Sequence, residues 1–165
     1  MRNATIFCLG IAVLMSTSSC NTIKKTEKSG TPTLNSAVQL RKNVIQYAQK
    51  YVGSPYKYGG ESPSGFDCSG FTSYVLKKYG VKLSPASAEQ AKQGVKIPLD
   101  RARQGDLLFF GDASRIQHVA LIVEHKKEGI ICVHSTTSRG VIIENVTTSS
   151  YWKPKILYAR DVISK

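Results

Sequence analysis

The chain has 165 residues, 41% of them hydrophobic and 21% charged, a composition of an ordinary globular protein with room for one core. Its formal net charge of +12 favours polyanionic surroundings. Nucleic acid is the first such partner to weigh, but no aromatic-basic stacking motif is present and the export signal described next excludes it.

Met1 and Arg2 start a short positive end, Ile6 to Met15 form an apolar run too short for a membrane span, and Ser16-Thr17-Ser18-Ser19 leads into Cys20. Residues 1–19 thus read as a secretion signal, and the cysteine that closes it resembles that of a bacterial lipobox. The resemblance implies that Cys20 is lipidated and becomes the mature N-terminus; Thr17 stands where the lipobox usually carries Leu, and a plain signal peptide cut nearby is the alternative. Two lipid signals at one end would hold the protein on a membrane surface of the cell envelope, facing the periplasm or the exterior. Residues 20–35 are polar, with Lys24, Lys25, Lys28, Gly30 and Pro32, and are expected to form a flexible tether whose lysines add attraction to anionic headgroups.

A single domain is expected over residues 36–165. Ser36 caps a helix whose apolar face is Val38, Leu40, Val44, Ile45, Ala48 and Val52, stopped by Gly53 and Pro55. A glycine-rich loop, Gly59-Gly60 to Ser62-Pro63-Ser64-Gly65, feeds a second helix that starts at Cys68 and ends at Gly80, and a short third helix covers Ser87 to Lys92. The period then changes to that of strands: Asp106 to Phe110, His118 to Glu124, Gly129 to Ser135, Val141 to Val146 and Ile156 to Val162. Helices followed by an antiparallel sheet of five or six strands is an α+β order.

Cys68 lies where a turn feeds a helix. The first-turn N–H groups lack intrahelical partners and the helix dipole is positive there, so thiolate is favoured and the pKa is expected below its free value of about 8.5. With Cys8 removed and Cys20 lipidated, Cys132 is the only other thiol, and its alternating run Ile130 to His134 makes it a small buried hydrophobe. The strands carrying His118 and His134 are joined through His125-Lys126-Lys127-Glu128. If Glu124 faces Glu128, His118 faces His134; a shift of two residues keeps both on one face, and a shift of one separates them. One imidazole can then take the thiol proton while the second orients the first. His125, in the turn, is expected to be solvated and without function. A zinc site of the same three residues lacks any CxxC or HExxH spacing, so no cofactor is expected.

Pro55-Tyr56 with Tyr58-Gly59-Gly60, Asp67-Cys68-Ser69-Gly70-Phe71, Gly105-Asp106-Leu107-Leu108-Phe109-Phe110, His118-Val119-Ala120 and Val133-His134 together resemble the NlpC family of papain-like cysteine endopeptidases. That resemblance, over roughly Val44 to Arg160, implies a papain-like fold and a single-domain enzyme, expected as a monomer, that cuts peptidoglycan peptides next to diaminopimelate. It implies Cys68 as nucleophile, His118 as general base and then acid, and His134 as the orienting third residue. Tyr56 is implied to reach the site, and Asp67 and Ser69 to help hold the substrate's peptide end. Asp67 as a helix cap and Tyr56 as a packed loop aromatic are the alternatives. Many relatives carry an arginine in the segment Leu83-Ser84-Pro85-Ala86-Ser87, and this chain has none. The same thioester chemistry would also serve an amidase, a transpeptidase or an acyltransferase, and a binding lipoprotein without turnover is the reading outside enzymology.

Overall fold

Apart from Met1, the computed structural model describes residues 34–164. The signal, Cys20 and most of the expected tether lie outside them, although Leu34 and Asn35 already belong to the first helix. That helix, α1 (Leu34–Gln49), packs through Val44, Ile45 and Ala48, while Val38 and Val52 are 59% and 48% exposed and do not belong to its buried face. Ser36 sits inside the helix and is not its cap. The chain leaves α1 through a turn at Gly53 and runs along the far edge of the sheet, where Gly53 N–H donates to the carbonyl of the strand residue Val141 and Val141 N–H donates to the Ser54 carbonyl.

Two short strands, β1 (Glu61–Ser62) and β2 (Gly65–Phe66), form a tight hairpin that the sequence showed only as a glycine-rich loop. It delivers the chain to α2 (Cys68–Lys77), capped by Asp67, and a one-turn helix α3 (Ser87–Gln90) follows. Gly70 in the first turn of α2 lies so close to the hairpin that an added Cβ would sit 2.1 Å from the Gly60 carbonyl oxygen, which explains a glycine inside a helix.

The remaining strands are β3 (Val95–Ile97), β4 (Leu107–Gly111), β5 (Ile116–Lys126), β6 (Gly129–Thr136), β7 (Gly140–Asn145) and β8 (Ile156–Asp161). They form one six-stranded antiparallel sheet in the order β3-β8-β4-β5-β6-β7, whose edge strand β3 is too short and too exposed to be recognised by alternation. Alternation divides the sheet's side chains between two apolar layers. On one face Leu107, Phe109, Val119, Leu121, Val133 and Val141 meet Val44, Ile45, Phe71, Val75 and Leu76 of the helices. On the other, Leu108, Phe110, Ala120, Ile122, Cys132 and Ala159 are covered by Ala102 and Trp152 from loops. The architecture is α+β, helices on one side of an antiparallel sheet, as the order of elements implied.

Candidate active site

The register of β5 and β6 decides what the histidines can do. The expected pairing of Glu124 with Glu128 does not occur: Lys126 pairs with Gly129 across a turn at Lys127 and Glu128, and Glu124 pairs with Ile131. A bulge at Val123 then changes the register, so that Ile122 pairs with Cys132 and Leu121 with Val133. This is a shift of two residues from the expected pairing. It leaves His118 and His134 on one face as diagonal neighbours, within reach of aromatic side chains.

Their rings meet: His118 Nε2 lies 2.8 Å from His134 Nδ1, with ring centroids 5.1 Å apart. His118 also stacks on Trp152 at 4.6 Å and 28°, and Phe110, its partner on β4, packs against both. His134 is fully buried and His118 nearly so. Burial lowers the His118 pKa well below the ordinary histidine value, helped by the neighbouring His134. Burial likewise lowers His134 to about 4, against the opposing pull of Glu144. Both imidazoles are therefore neutral near pH 7.

Cys68 arrives from the other side. Its helix packs on the first face of the sheet, whereas alternation puts the histidines on the second, so the two parts meet at the sheet's end and not on a common face. Ser135, next to His134, fastens the junction by donating its hydroxyl to the Phe66 carbonyl at 2.7 Å. Cys68 and His118 line one cavity of about 460 Å³ together with Tyr56, Gln117, Arg139 and Trp152. With Nε2 committed to His134, Nδ1 is the His118 nitrogen left for the thiol.

The electrostatics of Cys68 differ from the sequence expectation. Burial pushes the thiol pKa up, and the backbone N–H groups of Val119, Ser69 and Cys68 itself offset only part of that, with Asp67 adding to the rise. The helix terminus supplies donors, but the low-dielectric setting outweighs them. The resting pair is thus a neutral thiol beside a neutral imidazole.

Asp67 caps α2: Oδ1 accepts from Gly70 N–H at 2.7 Å and from the Ser69 hydroxyl at 3.0 Å, and Oδ2 accepts from Gly59 N–H at 3.0 Å. Ser69 is buried, and neither residue lines the cavity. Tyr56 does line it, held beside Phe66 by the Lys57 N–H to Phe66 C=O and Phe66 N–H to Pro55 C=O bonds. Burial raises its phenol pKa, as does the proximity of Cys68, so the hydroxyl stays protonated and able to donate. His125 is half-buried and donates Nδ1–H to the Ala102 carbonyl at 2.8 Å, so it is a structural ring and not a solvated one.

Three residues at the site were missed in the sequence. Glu144 of β7 accepts from His134 Nε2 at 3.0 Å, from Arg139 Nη2 at 2.8 Å and from Trp152 Nε1 at 2.9 Å. The signal for Glu144 was a carboxylate on the same strand face as Ile142, the residue paired with His134. Both ring nitrogens of His134 are hydrogen-bonded, and among the described residues no group of three or more His, Cys, Asp or Glu is placed to hold a metal.

A buried histidine pair facing a helix-start cysteine across a papain-like α+β framework defines the class, and comparison with known proteins agrees. Residues 53–161 match the NlpC/P60 family, and the chain belongs to it. It is 36% identical over 117 residues to the "Probable endopeptidase p60" of Listeria welshimeri, covering 71% of this chain and 21% of the relative. It is 30% identical over 129 residues to the "Murein DD-endopeptidase MepS/Murein LD-carboxypeptidase" of Escherichia coli strain K12, covering 78% of this chain and 66% of the relative. Among solved structures, a protein of Staphylococcus aureus described as similar to lipoprotein, of the NLP/P60 family, aligns with a TM-score of 0.66 at 30% identity, covering 85% of this chain and 46% of that one. The chain thus spans about a fifth of the Listeria relative's length and less than half of the staphylococcal one.

Proposed function

We propose that the protein is a peptidoglycan endopeptidase that hydrolyses a peptide bond of wall stem peptides or cross-links, next to diaminopimelate, through a thioester on Cys68. The observation that carries this reading is the cavity lined by both Cys68 and His118, whose Nε2 is already engaged by the His118–His134 hydrogen bond. Family membership and the endopeptidase names of the relatives support the substrate class.

His118 Nδ1 takes the thiol proton as Sγ attacks the scissile carbonyl, a general-base step suited to a neutral pair. The oxyanion is met by backbone N–H groups around Cys68 and by the Tyr56 hydroxyl. His118 then returns its proton to the leaving amine as the C–N bond breaks and the thioester remains. Water, deprotonated by the same nitrogen, attacks the thioester; the acid leaves and the thiol is restored. His134 orients His118 throughout. Asp67 and Ser69 act by holding the start of α2 and the loop carrying Tyr56, and not by touching substrate, because three acceptor positions of Asp67 are already filled within the protein.

The domain acts from a lipid anchor at Cys20 and a tether that ends where α1 begins at Leu34, on the envelope surface and as a monomer, its positive charge drawing it to an anionic wall. No helix among the described residues is long and apolar enough to cross a membrane. The test is mass spectrometry of purified wall fragments digested by wild type and by Cys68→Ala. New muropeptides from wild type alone are expected; identical products from both proteins, or intact fragments bearing a transferred acyl group, overturn the hydrolase reading.

A further inference from the structure

We propose that Glu144 is a positioning residue that sets the tautomers of both histidines and so leaves the lone pair of His118 Nδ1 for the thiol. The inference rests on the roles given above to Cys68 and His118. It begins at the carboxylate, where three N–H groups converge on the same oxygen, Oε1. Burial raises the Glu144 pKa, but the hydrogen bonds from Arg139 and Trp152 and the neighbouring His134 outweigh it and hold the group below its ordinary value. An ionised carboxylate accepts and never donates.

The proton positions then follow one by one. His134 Nε2 must carry hydrogen, because its partner at 3.0 Å has none to give. A neutral imidazole has a single N–H, so His134 Nδ1 is a lone pair. That lone pair can make the 2.8 Å contact only if His118 Nε2 donates. His118 Nδ1 is thereby left unprotonated, on a ring that lines the same cavity as Cys68. Without an acceptor-only group at the end of the chain, both rings can reverse together at equal hydrogen-bond count. The reversed chain puts hydrogen on His118 Nδ1 and removes the base.

The surroundings hold this arrangement in place. The His134 and Glu144 positions are diagonal neighbours on β6 and β7, as His118 and His134 are on β5 and β6, so three adjacent strands present the three groups on one face. Trp152 stacks on His118 while donating to Glu144, which ties the base and the carboxylate to one rigid ring. Arg139, on the turn between β6 and β7, completes the carboxylate's shell from the cavity side. A carboxylate that orients a histidine is a known way to fix a tautomer; here it acts through a second histidine.

The test is nitrogen NMR of protein labelled at histidine, at pH 7 and without substrate, alongside steady-state kinetics on a soluble wall tetrapeptide. In wild type both rings are expected as neutral Nε2–H tautomers. In Glu144→Gln, whose amide can also donate, His134 shifts toward Nδ1–H. There kcat falls at least about ten-fold with KM unchanged, below the ~10⁴ loss that a wrong tautomer causes in a Ser-His-Asp triad. Glu144→Asp regains part of kcat, and if Glu144→Gln fails to fold the wild-type tautomers still decide. Hydrogen on His118 Nδ1 in wild type, or wild-type tautomers and kcat in folded Glu144→Gln, overturns the inference. If the tautomers are as stated but no wall peptide is hydrolysed, the proposed function fails while the proton arrangement stands.

Discussion

The most consequential groups are two imidazoles kept neutral by burial. In the proposed mechanism His118 must be unprotonated to accept from the thiol, and its pKa is lowered by burial first and by His134 second. The sign follows: protonation removes the base, and it occurs at a pH below the ordinary histidine value. The acid limb of kcat/KM is therefore expected below pH 6.5, with activity still near its plateau at pH 6.5. A pH profile with its acid midpoint at 7 or above would contradict this. Residues at this scale were unevenly legible. Cys68, His118 and His134 stand in recognisable motifs, so they could be singled out from the chain. Glu144, Arg139 and Trp152 could not, because each acquires its role only through a hydrogen bond across strands or from a loop. The elevated thiol pKa was hidden for a similar reason: a helix start is visible in sequence, but the depth of its burial is not.

At the scale of elements, periodicity located the long strands, and only their registers needed the structure. The two-residue shift between β5 and β6 is the net of a tighter turn at Lys127 and Glu128, which moves the pairing by three, and a bulge at Val123, which takes back one, and no pattern in the segment from Leu121 to Lys126 announces the bulge. Edge strand β3 and the β1–β2 hairpin were missed because two- and three-residue strands carry no period. A buried ion cluster joins α1 to the sheet: Arg41 Nη1 lies 2.5 Å from Asp106 Oδ1, and its Nη2 2.6 Å from Asp161 Oδ1. Arg103 approaches Asp161 at 3.0 Å from the outside. Arg41 and Asp106 are almost fully buried, so removing one partner strands a charge in the interior, which costs about 3–5 kcal/mol. Arg41→Ala is accordingly expected to lower the free energy of unfolding by that amount, read in a urea titration as a lower midpoint with an unchanged m-value. A loss under about 1 kcal/mol in the same titration would mean that the cluster is solvated in solution.

Across the whole molecule the layering explains how the site arises. Helices cover one face of the sheet and loops cover the other, and at the sheet's end a helix terminus from the first layer meets side chains from the second. The cavity between them is lined by Cys68 together with Arg139 and Lys155, within a chain of net charge +12. The fold class was readable because helices precede strands in the sequence; the meeting of the two layers was not, since it depends on the curvature and registers of the assembled sheet. In the proposed function this junction makes Cys68 a covalent catalyst. Intact-protein mass spectrometry after acid quenching of a single turnover on a wall tetrapeptide tests it most directly. An increment equal to the acyl half of the peptide is predicted on wild type and mapped to Cys68, and none on Cys68→Ala. Cleaved peptide at equal rates from both proteins, with no adduct on either, would contradict it.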